Sequence, residues 1–128
     1  MSKFSTSSFK KSFSYAVRGL KLAYKSQQNF RTELLLGSFA FILAIFMKFT
    51  IVEFCILFMT MAMVLLCELF NSVIEFALDA LYHNKYSKLV EMAKDMSAGA
   101  VLISTFASIV IGSVLFGGKL FFILGIRV

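Results

Sequence analysis

Polar and apolar positions alternate along this chain in blocks whose lengths are those of helices. From Phe9, the residues Phe9, Phe13, Ala16, Val17, Leu20 and Tyr24 fall within a sector of roughly 100°, and Lys10, Lys11, Ser14, Arg18, Lys21 and Lys25 fill the adjoining one. That pattern predicts an amphipathic helix lying on a membrane surface over about 9–28. Three longer apolar blocks follow. The first, 34–52, contains one charge, Lys48, close enough to its end to snorkel. The second, 54–79, begins with fourteen uncharged residues, Phe54 to Cys67. The third, 96–118, begins after a polar segment from His83 to Asp95 and is uncharged throughout. Each is long enough to cross a bilayer. A turn joins the first two near Thr50 to Glu53. The serine-rich residues 1–8 are expected to be disordered.

The expected fold is therefore all-α and integral to the membrane: an N-terminal surface helix and three transmembrane helices, in one domain spanning 1–128. Composition agrees. Of the 128 residues, 59% are hydrophobic, well above the share usual in soluble domains. Proline is absent, which suits long unbroken helices. The cationic first thirty residues lack the compact apolar core of a cleavable signal. Cys55 and Cys67, twelve residues apart on one helix, are about 18 Å apart and cannot pair within the chain. His83 reads as a solvated interfacial residue.

Net charge is +6, and its distribution sets the orientation. Residues 1–31 hold seven Lys or Arg and the segment 83–95 holds three; the opposite side has Lys48, Lys119 and Arg127. Ten against three places the N-terminus and the second loop on the cytoplasmic side. Because the basic segment is tethered to apolar spans, its partner is anionic lipid rather than nucleic acid.

The second apolar block ends in chemistry. Glu68, Asn71, Glu75 and Asp79 share one helical face, with Glu75 and Asp79 each within about 20° of Glu68. Ionisable groups inside a bilayer mark function. Glu68 lies within the hydrocarbon slab, Glu75 reaches the interface, and Asp79 lies just beyond it. Glu75 and Asp79 could hold Mg²⁺ together with substrate phosphates. Glu68 could accept a proton from a lipid hydroxyl, and Lys94, with Asp95 beside it, could neutralise developing phosphate charge. The set suits phosphoryl transfer to a membrane alcohol, and equally a structural polar network or the cation pathway of a small channel. There is no glycine-rich phosphate loop of the soluble kinase types. In the third block, Ala100, Ser104, Ser108 and Gly112 recur every four residues, a spacing that lets helices approach closely in lipid and points to an oligomer.

Read as blocks, ELFNSVIEFALD followed by AKDMSAGAVLI, preceded by QNFRTE and FKKSFSYAVRGLK, resemble the prokaryotic diacylglycerol kinase and undecaprenol kinase family over about Phe9 to Gly117. The resemblance implies a homotrimer in the bacterial cytoplasmic (inner) membrane, with active sites near the cytoplasmic face, and MgATP as the donor. It implies Glu68 as the catalytic base. It implies Tyr15, Gln27, Glu75, Tyr86, Ser87, Lys94 and Asp95 around ATP, with Glu75 and Gln27 on the metal. Phe30, Arg31, Glu68 and Ala98 would border the lipid, and Asn71, Asp79 and Glu33 would support the site. The expected reaction converts diacylglycerol to phosphatidic acid, with undecaprenol as the alternative acceptor and a non-enzymatic helix-bundle channel or interaction protein as the reading of another class.

Three departures stand out against the family pattern. Gln27 replaces a glutamate metal ligand, Ser8 replaces an arginine of the diacylglycerol-type enzymes, and the loop at His83 to Lys85 is one residue longer, which shifts the Tyr86 and Ser87 correspondence.

Overall fold

The computed structural model of the protein describes residues 6–83 and 85–126. Residues 1–5, within the serine-rich start, Asn84 in the second loop and Arg127 in the charge count lie outside the described residues. Four helices follow in order: α1 (Thr6–Ser26), α2 (Gln28–Phe46), α3 (Ile51–Tyr82) and α4 (Lys88–Ile123). The last three are long and apolar enough to cross a membrane.

Gln27 separates α1 from α2 by adopting an extended conformation, φ −113° and ψ 108°. This break leaves the last carbonyls of α1 without helical donors. Arg31, one turn into α2, supplies them: its Nη1 donates to the carbonyls of Tyr24 at 2.7 Å and Lys25 at 2.9 Å. A cation at a helix C-terminus also complements the helix dipole. The end of α1 is thus tied to α2, with Phe9, Phe13 and Leu20 exposed.

The first expected span, 34–52, ends too late. α2 stops at Phe46, and Met47 to Thr50 form the turn. The run Phe46-Met47-Lys48-Phe49 reads as continuous apolar chain around one snorkelling lysine, but Lys48 takes a left-handed conformation with φ 57° and reverses the backbone. Thr50 then starts α3 with a capping box. Its hydroxyl accepts from the Glu53 N–H at 3.2 Å, and the Glu53 carboxylate accepts from the Thr50 N–H at 3.3 Å. The expected spans 54–79 and 96–118 lie inside α3 and α4, both of which continue beyond the hydrocarbon.

α2 buries Phe30, Gly37 and Ala44, spaced by seven and so on one seam. Gly37 is needed for contact with α3, since a Cβ there would lie 1.8 Å from the Met61 methyl. α3 buries Leu57, Thr60, Val64, Glu68 and Ser72 along one stripe. Its apolar half packs with Ala44 and Phe49 into the core. Phe49 lies 4.8 Å from Phe116 and 5.8 Å from Phe54, centroid to centroid. At that same end Lys119 pairs with Glu53 at 2.9 Å and stands over the Phe49 and Phe122 rings.

The small-residue stripe of α4 has neighbours within the chain as well. Ser104 is the buried residue of α4, and Ser108 and Gly112 line a cavity between α2, α3 and α4. Part of this stripe therefore serves packing within one chain, where α3 and α4 run antiparallel.

Candidate functional site

The buried stripe of α3 carries three polar residues, Thr60 in its N-terminal half and Glu68 and Ser72 in its C-terminal half. Thr60 and Ser72 satisfy their hydroxyls on their own helix, donating to the carbonyls of Ile56 at 2.7 Å and Glu68 at 3.0 Å. Glu68 does not follow this pattern. It is 2% exposed, and its Oε2 has no hydrogen-bond partner. Among the described residues the one other buried side-chain oxygen in that condition is Oε2 of Glu33 on α2. Asn29, Glu33 and Glu75 all face Glu68 closely enough to interact with it. An orphaned carboxyl oxygen in an apolar bundle is destabilising, so its retention points to chemistry.

One turn along α3, Asn71 Nδ2 donates to Glu75 Oε1 at 3.5 Å. The Oδ1 of the same amide accepts from the Ser97 hydroxyl of α4 at 2.7 Å. Farther out, Lys94 of α4 pairs with Asp79 of α3. Asp79 lines a cavity of about 290 Å³ together with Tyr82, Tyr86, Ser87, Glu91 and Lys94. Tyr86 donates its hydroxyl to Glu91 at 2.8 Å. That carboxylate holds the phenol above the ordinary tyrosine range, because a phenolate would face a second anion. Glu68 and Asp79 are about 16 Å apart along α3, and Glu75 stands between them, one turn inside Asp79.

The structure thus gathers Glu68, Asn71, Glu75 and Glu33 into a deep cluster, and Asp79, Lys94, Tyr86 and Ser87 into a cavity at the helix ends. Asp95 follows Lys94 and is exposed. Tyr15 is on α1, with the Arg18 guanidinium 5.5 Å over its ring. Gln27 stands at the α1–α2 break with no capping hydrogen bond from its side chain. Phe30 is a core residue, 4% exposed, at the wall of an apolar groove shared with Leu20, Tyr24, Leu65 and Leu69. Arg31 spends a guanidinium nitrogen on the end of α1. Ala98 is exposed on α4. Among the described residues no three of His, Cys, Asp and Glu converge as a metal site. A divalent ion here would take Glu75 from the protein and its other oxygens from phosphates and water, an arrangement that Mg²⁺ accepts.

Sequence reasoning missed Ser97 and Asn29. Ser97 is 26 positions from Asn71, and only the pairing of α3 with α4 brings them together. It also missed the helix-start signature Thr50-x-x-Glu53, which was legible in the residues.

The chain matches the prokaryotic diacylglycerol kinase family over residues 14–116. It is 32% identical over 104 residues to a diacylglycerol kinase of Synechocystis sp., a match covering 81% of this chain and 59% of that relative. It is 32% identical over 112 residues to the undecaprenol kinase of Bacillus subtilis, covering 88% and 90%. Against the diacylglycerol kinase of Escherichia coli K12 it is 28% identical over 100 residues, covering 78% and 81%.

Proposed function

The chain belongs to the prokaryotic diacylglycerol kinase family, and from that premise we propose that it transfers the γ-phosphoryl group of ATP to the hydroxyl of a membrane lipid. The observation that carries this reading is Glu68, a buried carboxyl on a membrane-spanning helix with one oxygen left unpartnered. Such an oxygen is free to take the proton of an alcohol that enters laterally from the bilayer. As the proton leaves, the lipid oxygen bonds to the γ-phosphorus, the bond from that phosphorus to the β–γ bridging oxygen breaks, and ADP departs. Glu75, with the Gln27 amide, would hold Mg²⁺, which would supply positive charge against the phosphates. Asn71 steadies Glu75, and Lys94 turns from Asp79 toward the phosphates. Tyr86 and Ser87 flank the nucleotide at the helix ends, with Tyr15 and Asp95 nearby. Glu33 supports Glu68, while Phe30, Arg31 and Ala98 lie along the lipid's approach.

The proposed assembly is a homotrimer in a bacterial inner membrane, α1 lying on the cytoplasmic surface with the active site. The wide exposed apolar faces of α3 and α4 support burial in lipid or against other copies.

The acceptor proposed is diacylglycerol, giving phosphatidic acid, which follows the names of most of the relatives. Undecaprenol is the second reading. It is favoured by Ala98, which offers no hydroxyl to a glyceride ester, and by the near full-length match to an undecaprenol kinase. The test is kcat/KM for both lipids in the same mixed micelles. A tenfold or greater preference for undecaprenol reverses the assignment, and an absence of ATP-dependent phosphorylation of either lipid removes the enzyme reading in favour of a non-enzymatic bundle.

A further inference from the structure

Five serine hydroxyls in these helices share one habit. Ser26, Ser38, Ser72, Ser104 and Ser108 each donate to a carbonyl of their own helix three or four residues back, the usual outlet for a helical hydroxyl. Ser97 breaks the habit. Its hydroxyl crosses from α4 to α3 and donates to Asn71 Oδ1 at 2.7 Å. We infer that Ser97 is a positioning residue: it anchors the Asn71 amide from the facing helix with Nδ2 toward Glu75, and so presets that carboxylate for a metal–phosphate ligand.

An asparagine amide is nearly symmetric in shape but not in chemistry, with two donors on nitrogen and acceptors on oxygen. The Glu75 carboxylate accepts only. A flipped amide would put oxygen against oxygen and push Glu75 away from its place. The acceptor-only carboxylate decides which way the amide faces, and the hydroxyl on Oδ1 at 2.7 Å anchors the amide in that place, whereas the 3.5 Å contact from Nδ2 to Glu75 is too long to hold it by itself. Ser97 is half-buried, so water does not readily take its part.

Location supports the same role. Ser97 stands one turn from Lys94 on α4, and Asn71 and Asp79 stand one turn either side of Glu75 on α3. The pairs Ser97–Asn71 and Lys94–Asp79 therefore form two rungs between antiparallel helices, with Glu75 framed between them. Loss of the inner rung leaves the outer rung and the apolar packing in place, so the fold survives and the carboxylate loses its orientation.

This inference rests on the proposed role of Glu75 at the phosphates, and its test is a binding measurement that needs no lipid and no turnover. Purified protein in micelles is titrated with Mn²⁺ in the presence of ATP, and free Mn²⁺ is read by electron paramagnetic resonance. Ser97→Ala is expected to bind Mn²⁺ about fivefold more weakly than wild type, the size of one lost neutral hydrogen bond. Ser97→Thr, which keeps the hydroxyl, is expected to restore binding to within about twofold. In an Asn71→Ala background Ser97→Ala is expected to add nothing, because the side chain it orients is gone. In turnover the half-saturating Mg²⁺ concentration rises while the lipid KM stays put. Wild-type affinity in Ser97→Ala, losses that add with those of Asn71→Ala, or a wild-type protein that binds no Mn²⁺ with ATP would each overturn the inference. Wild-type Mn²⁺ binding of the expected pattern without turnover on either lipid would instead overturn the lipid-kinase reading and leave this one standing.

Discussion

Replacing Glu68 with glutamine should separate activity from stability in opposite directions. The side chain is 2% exposed and its Oε2 meets no donor. A buried polar atom without a partner costs about 1–3 kcal/mol of stability, more when charged. Glutamine keeps the length and shape, removes the acid, and ends its repulsion with Glu33 and Glu75. Its amide can also donate toward the orphaned oxygen of Glu33. Part of that cost is therefore recovered. For a chain of this size each kcal/mol raises Tm by roughly 4 °C, so recovery of about 1 kcal/mol would make Glu68→Gln melt roughly 4 °C above wild type. The same change removes the group that accepts the lipid's proton, and turnover should fall by about 10² or more. The assay pairs thermal unfolding in detergent with ATP-dependent lipid phosphorylation on the same preparation. Turnover within a few-fold of wild type would refute Glu68 as the base. A lower Tm together with lost turnover would refute the reasoning about the orphaned oxygen, since inactivity would then follow from a damaged fold.

Gln27→Glu restores a carboxylate near the proposed metal and should lower the Mg²⁺ concentration for half-maximal activity severalfold; an unchanged Mg²⁺ dependence removes Gln27 from the site. Gly37→Ala places a methyl 1.8 Å from the Met61 methyl, but that group is the end of a flexible chain beside a cavity of about 330 Å³. The expected cost is therefore near the low end of overpacking, about 1 kcal/mol, read as a small drop in Tm, whereas Gly37→Leu should cost about 3 kcal/mol. Tyr86 should titrate above the ordinary tyrosine value of about 10, followed by ultraviolet absorbance against Tyr86→Phe. Its hydrogen bond to Glu91 is therefore present below the ordinary tyrosine range and lost only as pH rises through the raised value, and Glu91→Gln should bring the titration down.

The helices were legible in the sequence because bilayer length and hydropathy impose them. The break at Met47 to Thr50 was not, since its apolar letters continue the span on either side, and the reversal depends on one left-handed lysine and a four-residue cap. In the site, Glu68, Asn71, Glu75 and Asp79 could be grouped from spacing alone because one helix carries them all. Lys94 could be added from its place at the start of the next helix, with its pairing to Asp79 visible only in the fold. Ser97 and Asn29 escaped because nothing in their own surroundings marks them; their meaning comes from which helix lies opposite. Arg31 shows the reverse case. Its place in the motif suggested lipid; only the fold adds that one guanidinium nitrogen also closes the end of α1.

The tight turn at Lys48, the Thr50 cap and the Lys119–Glu53 pair all sit at one end of the bundle, and the result is mechanical. α3 and α4 are tongs pinned at that end, their other ends joined along the chain only through the short 83–87 segment. Asp79 lies about 43 Å along α3 from Thr50, so a tilt of about 3° at the pivot carries it sideways by about 2 Å over that lever arm. That travel is enough to part Asp79 from Lys94, whose exposed ion pair opposes it only weakly. The jaws can part by that much while the aromatic packing around Phe49 hardly moves, the outermost contacts yielding first and the deep carboxyl cluster shifting less than they do.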